Sequence, residues 1–274
     1  DVKVNSKDYQ GAITDYNKVI ELDPTYLNAY VGRGSVKMDL ADYLGAIQDY
    51  NKVTEIDNTD PNVYNNRGYS KYKLKDYERA LVDFNKAIEL DSNDALSYLN
   101  RGMAKQGLKD FTGSINDYTK VLKIEDTNSL AYFNRGLVKF EIKEFQGAIL
   151  DFNKAIELDS NYPSMHYSRG DAKVNVKDYK GAMLDYNKAI ELDSYNAVLY
   201  NKRGYLKYLL KEFKEAIEDF NKAIQNNPKY AIAHYNRGLS KSSLEQTTES
   251  CMDFNKALEL GFKKAAEMIN KYCK

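Results

Sequence analysis

The chain has 274 residues, and its 40 Lys and Arg are matched by 40 Asp and Glu, so no global field draws it to nucleic acid or to an anionic membrane surface. At 43% hydrophobic and 29% charged it is too apolar for disorder and too evenly charged for a membrane span, and it reads as a soluble folded chain. No stretch approaches the roughly 18 apolar residues of a transmembrane helix, and residues 1–9 lack the regions of a signal peptide, which leaves the compartment open with the cytoplasm as first expectation.

Internal similarity decides the architecture. Arg-Gly recurs at Arg33-Gly34, Arg67-Gly68, Arg101-Gly102, Arg135-Gly136, Arg169-Gly170, Arg203-Gly204 and Arg237-Gly238, each step being 34 residues. A second marker, Asp-(Tyr/Phe)-(Asn/Thr)-Lys, keeps the same phase from Asp15 through Asp49, Asp83, Asp117, Asp151, Asp185 and Asp219 to Asp253. Two markers in one unbroken phase define a repeat array over residues 1–274.

Taken in chain order, residues 1–26 are a partial repeat. Asp1 has the register of Ser35, so the chain opens inside a first helix and the rest of that helix is expected upstream. Full repeats follow at 27–60, 61–94, 95–128, 129–162, 163–196, 197–230 and 231–261. In the first of these, Tyr30, Val31, Val36 and Leu40, then Tyr43, Ala46, Ile47, Tyr50, Val53 and Ile56, are spaced by threes and fours, which predicts two amphipathic helices. Between them lies Ala41-Asp42, with counterparts at Lys75-Asp76, Lys109-Asp110 and Lys177-Asp178, where a short acidic side chain can cap the second helix. Pro24, Pro61, Pro163 and Pro228 all fall between repeats. The last repeat is degenerate, with Thr247 and Ser250 where an aromatic and Ala belong, and 262–274 is expected to cap it through Phe262, Ala265, Ala266, Met268, Ile269 and Tyr272.

The period and the ordered set Tyr30, Gly34, Tyr43, Ala46 and Tyr50, matched by Tyr200, Gly204, Phe213, Ala216 and Phe220, resemble the tetratricopeptide repeat (TPR) family over essentially the whole chain. The resemblance implies an all-α fold, a right-handed α-solenoid or superhelix of helix-turn-helix units. Gly34 or Gly68 is expected to face a small residue such as Ala46 or Ala80, with aromatics filling the wedge. The chain departs from the family in placing Arg before each Gly and Lys four residues on, from Lys37 to Lys241. Like charges one turn apart repel, so these heads are expected to meet the periodic Asp ladder on neighbouring second helices rather than to form a phosphate-binding stripe.

No reaction centre is legible. His166 and His234 stand at the Tyr30 register, where a core role is expected, and no third ligand accompanies them. Cys251 shares the register of Ile47 and Ile217 and reads as a buried thiol, with a disulfide to Cys273 as the alternative if the cap folds back. Two cysteines are too few for a disulfide framework or a zinc site, leaving packing to hold the fold. The glycines at Gly11, Gly45, Gly113, Gly147 and Gly181 follow the period too, and no phosphate-loop motif occurs. No cofactor or metal is expected.

What remains is the face of the first helices, which in TPR proteins lines a concave wall and contacts ligands. The register before Arg reads Gly32, Asn66, Asn100, Asn134, Ser168, Lys202 and Asn236, a partial asparagine ladder. Resemblance implies that such a ladder binds the backbone of an extended peptide, an amide being both donor and acceptor; the alternative is that Asn cross-links adjacent helices. Tyr69, Tyr72, Phe133, Phe140, Tyr205, Tyr208 and Tyr235 would supply apolar anchors. Asp1, Asp39, Glu141 and Asp171 against Lys73 and Lys202 leave this face at minus two, suited to a peptide with apolar and basic residues. The two-carboxylate clamp by which some TPR proteins hold acidic chaperone tails is not expected, because its registers hold Asn62, Asn65, Leu96, Leu99 and Leu130. The expected peptide-binding groove is therefore Asn66, Tyr69, Tyr72, Asn100, Phe133, Asn134, Phe140, Lys202, Tyr205, Tyr208 and Asn236. The reading is a non-enzymatic scaffold for a protein or peptide, with no nucleic acid and no membrane insertion. Its alternatives are the targeting arm of an upstream catalytic domain and a self-associating module.

Overall fold

A computed structural model of the chain describes residues 8–273; the expected partial helix at the start lies outside the described residues. Among them are sixteen α-helices and no strand. First helices α2 (Leu27–Asp39), α4 (Pro61–Lys73), α6 (Ala95–Gly107), α8 (Ser129–Glu141), α10 (Pro163–Asn175), α12 (Ala197–Leu209) and α14 (Ala231–Ser243) each hold 13 residues. Second helices are α1 (Tyr9–Leu22), α3 (Tyr43–Ile56), α5 (Tyr77–Leu90), α7 (Phe111–Ile124), α9 (Phe145–Leu158), α11 (Tyr179–Leu192), α13 (Phe213–Asn226) and α15 (Thr247–Glu259). The chain divides into two compact units, Asp1–Val138 and Lys139–Lys274, the division falling within α8.

Each hairpin turn is built by one device. After α2 the Asp42 amide donates to the Lys37 carbonyl at 2.8 Å and the Ala41 amide to Met38 at 2.9 Å, satisfying carbonyls that the helix end would leave bare. This geometry puts Ala41 in the left-handed region at φ 59°, and Lys75, Lys109, Lys143, Lys177, Lys211 and Glu245 take the same conformation. The next residue opens the second helix: the Asp42 carboxylate accepts from the Gly45 amide at 3.0 Å, as Asp110 does from Gly113 and Asp178 from Gly181. Where Glu144, Glu212 or Gln246 replaces Asp, no side-chain cap bond forms.

Burial follows the repeat. In the first unit Tyr30, Ala46, Tyr50, Val53 and Val63 form one core cluster, contributed by α2, α3 and α4. In the second unit Ala189, Ile190, Leu199, Tyr200, Ala223 and Ala233 do the same across α11, α12, α13 and α14. A single hairpin could not bury these faces, so each repeat is stabilised by its neighbours. A Cβ at Gly34 or Gly68 would first meet the ring of Tyr50 at 3.0 Å or Phe84 at 2.8 Å, the aromatic of the expected wedge. The glycine is the seat for the aromatic sixteen residues on, and that aromatic is wholly buried.

The periodic charges pair within the fold. Arg33, Arg67, Arg101, Arg169, Arg203 and Arg237 place Nη2 2.5–2.7 Å from Oδ1 of Asp49, Asp83, Asp117, Asp185, Asp219 and Asp253. The second carboxylate oxygen takes the Lys one turn along, Lys37 to Asp49 at 2.8 Å and Lys71 to Asp83 at 2.7 Å. One buried carboxylate thus relieves the repulsion between two bases. Each Arg also reaches back through Nη1 to the preceding second helix, Arg33 to Asn17 at 2.6 Å and Arg203 to Asn187 at 2.8 Å, so that one guanidinium staples three helices. In Arg33, Arg67, Arg101, Arg135 and Arg203 it also lies over the tyrosine three residues earlier, Arg67 over Tyr64 at 5.2 Å.

The cap is shorter than expected. Helix α16 (Ala265–Tyr272) has 8 residues, and Phe262 sits in the turn before it. Cys251 is not a free thiol: it forms a disulfide with Cys273, so the alternative raised by the sequence holds and packing is joined by one covalent staple. No helix among the described residues is long and apolar enough to cross a membrane.

Candidate functional site

In the unit Lys139–Lys274 the first helices α10, α12 and α14 line a cleft of about 450 Å³. Its apolar wall is Phe140, Val174, Tyr205, Leu206, Leu209, Ile232, Tyr235 and Leu239, and its far end is closed by Phe262 and Lys264 of the turn into the cap. Four of the expected groove residues therefore converge here: Phe140, Lys202, Tyr205 and Asn236. Tyr208 stands behind them, its ring stacked on Tyr205 at 6.2 Å and tilted against Phe213 at 5.6 Å. Tyr205 is 44% exposed, a large ring held open to solvent by a rigid helix.

The cleft's polar centre is an Asp171 carboxylate that accepts from the Tyr186 phenol at 2.7 Å and from Lys202 Nζ at 2.5 Å. Burial, reinforced by the neighbouring Asp171 charge, pushes the Tyr186 phenol well above the ordinary tyrosine range, so it stays a donor. Lys202 also lies 5.4 Å over the Tyr167 ring. The Asp171–Lys202 pair cancels two of the charges that the sequence counted separately. With Lys264 at the rim, the cleft is faintly cationic rather than acidic.

The asparagine ladder splits by context. Asn100 is 4% exposed and donates to the Asn65 carbonyl oxygen of the preceding repeat at 2.9 Å. Asn236, 7% exposed, makes the same bond to Asn201 at 3.0 Å. Both amides lie in the joint between first helices, which is the cross-linking alternative. Asn66 is half-buried near the Tyr50 phenol, whose hydroxyl meets Ser35 at 3.2 Å and Met38 at 3.3 Å. For Asn134 the register partner is Leu99, which offers no amide; Asn134 is half-buried. Lys202 follows the same step, since the residue it covers, Tyr167, occupies the register of Asn65 and Asn201.

In the unit Asp1–Val138 the other expected anchors sit closer to the core. Tyr69 and Tyr72 are half-buried against Ala80, Phe84 and Ala104, with ring centroids 6.1 Å apart, and Lys73 lies 5.9 Å over Tyr69. Burial raises the Tyr72 phenol above its ordinary value. Phe133 is half-buried. The open face here is a hollow of about 560 Å³ lined by Tyr16, Val19, Tyr26, Asn28, Val31, Ser35 and Asp39, of which the sequence places Asp39 on the groove face. Both histidines are core residues whose Nε2 meets a carbonyl six residues earlier, Ser160 at 3.0 Å and Pro228 at 3.1 Å, as the Tyr30 hydroxyl meets Pro24. Sequence reasoning missed Asp171–Tyr186 and the cap's part in the cleft, because Tyr186 lies on a second helix and Phe262 beyond the last repeat.

Repeats of helical hairpins presenting one face of their first helices define a class of interaction modules. Family models for the tetratricopeptide repeat match residues 61–94 and 129–162, and 95–128 and 163–196, and one for the TPR repeat matches 1–40, 34–75 and 204–242. The chain belongs to the tetratricopeptide repeat family and is a protein-interaction scaffold. Among solved structures it is similar to MamA, with 30% identity and a TM-score of 0.56 over 60% of this chain and 96% of that one. A tetratricopeptide repeat protein from Parabacteroides merdae matches with 17% identity and a TM-score of 0.69 over 90% of this chain and 99% of that one. YrrB, described as a TPR protein with an unusual peptide-binding site, matches with 23% identity and a TM-score of 0.58 over 69% of this chain and 97% of that one. No curated protein matches the sequence.

Proposed function

We propose that the chain is a non-enzymatic scaffold that holds an extended polypeptide segment in the cleft of α10, α12 and α14. The observation that carries this reading is the solvent-facing Tyr205 ring beside Leu209 and Ile232, set around a polar centre whose charges are already paired. A peptide side chain entering there gains apolar area and meets few stranded charges, the arrangement of a binding hot spot. The ligand is a segment with large apolar residues. Capture of an acidic tail by a two-carboxylate clamp is not expected, since Leu96, Leu99 and Leu130 occupy its positions and Asn65 is engaged with Asn100. Peptide binding in YrrB is a precedent within the fold. The test is selection of displayed random peptides on the intact chain, followed by titration of the best binder. Tyr205→Ala should weaken it by ~30-fold, the scale of a hot-spot aromatic, with melting unchanged. Equal affinity for the variant would move the site elsewhere.

A further inference from the structure

The cap is held differently from every repeat before it. The ionic staple of each repeat ends with Arg237, Lys241 and Asp253. Among the described residues no ion pair ties α16 to the helices beneath it. Helix α16 has 8 residues and no side-chain N-cap bond, well under the length at which a helix persists unaided. Two things keep it in place. One is apolar contact: Phe262 lies 4.8 Å from Tyr235 and Tyr272 stacks at 6.4 Å on Phe254. The other is the Cys251–Cys273 bond, from the middle of the last repeat to the residue just past α16, both cysteines being partly exposed. The turn that this arrangement positions, with Gly261 at φ 93° as its pivot, carries Phe262 and Lys264, the end wall of the cleft.

We propose that Cys251–Cys273 is a redox latch: reduction releases α16 and its turn and opens the end of the cleft, and oxidation closes it. A dithiol is the reductant. Its thiolate attacks one sulfur, the Cys251–Cys273 bond breaks to a mixed disulfide, and its second thiol resolves that species. Two electrons and two protons pass to the cysteines while the dithiol becomes a disulfide. Released, the cap uncovers Tyr235, Phe254 and Ala257, and the cleft loses Phe262 as its stop. The effect on ligand rests on the cleft reading above, whereas the latch does not.

Hydrogen–deuterium exchange on the intact chain tests it, comparing the oxidised protein, the protein treated with dithiothreitol without denaturant, and the Cys251→Ser/Cys273→Ser double variant. Amide exchange in 262–273 should rise roughly tenfold or more on reduction, with a smaller rise in α14, no change across 163–226, and reversal on reoxidation. Fluorescence of anilinonaphthalene sulfonate should rise in the reduced state as the apolar face is uncovered. The double variant should match the reduced protein permanently. A disulfide that dithiothreitol leaves intact in the folded chain overturns the latch, as does a cap whose exchange ignores reduction. Exchange rising throughout 139–274 makes the bond a general staple and also overturns it. Failure of peptide selection would remove the cleft reading while leaving these exchange results standing.

Discussion

Truncating Asn100 to Ala leaves the Asn65 side chain buried without its partner, a loss of roughly 1–3 kcal/mol. Asn134, at the same register, has Leu99 as its counterpart, and Asn134→Ala should change stability by less than about 0.5 kcal/mol. Thermal melting followed by circular dichroism separates the two, and a reversed order would contradict the assignment of Asn100 to the inter-repeat joint. A second residue-scale expectation concerns alkali. Burial raises the phenols of Tyr50, Tyr118 and Tyr186 above the ordinary value near 10, so the folded state holds protons that the unfolded chain releases. Their stabilisation is complete below about pH 10 and drains away as pH climbs beyond it. Denaturant midpoints should fall steeply above about pH 10, and phenolate absorbance should come in two steps, exposed rings such as Tyr26 and Tyr195 ionising in the helical protein and the buried ones only as the helices melt; a single step that ionises every ring in a fully helical protein would refute this.

The 34-residue hairpin carries its strain at one place. Ala41, the five Lys at its counterparts from Lys75 to Lys211, and Glu245 all take positive φ where glycine would be relaxed. Lys109→Gly should therefore raise stability by about 1 kcal/mol, read as a higher melting temperature, whereas a loss would mean that the Lys109 side chain does more than close the turn. This feature was illegible in the sequence: Lys at a turn carries no signature of left-handed backbone, and only the paired carbonyl bonds of the helix end impose it. The hairpins themselves were legible, since helix length, turn position and Asp capping all follow from local spacing.

At the scale of the whole molecule, the periodic charge is paired. Among the described residues the Arg and Lys of each repeat are bound to a nearly buried Asp, from Asp49 to Asp253, so this register forms no free basic stripe. A random DNA duplex should show no binding at about micromolar protein even in low salt, measured by fluorescence anisotropy; salt-sensitive affinity there would expose a phosphate-binding surface. Stability is a sum of neighbour contacts, which makes the last repeat depend on its cap.

The period alone determined the helices, the turns, the ionic staples and the family, because each depends on residues a fixed short distance apart in a chain that repeats itself. Tertiary structure decided which residues line the cleft. Asn66, Asn100, Asn134, Lys202 and Asn236 share a register, yet the partner open to each depends on the residue one repeat earlier, an amide at Asn65 and Asn201, an aliphatic at Leu99, a ring at Tyr167. Likewise the Cys251–Cys273 bond and the closing of the cleft by Phe262 depend on α16 folding back onto α15, a contact between non-repeating residues that no periodicity encodes.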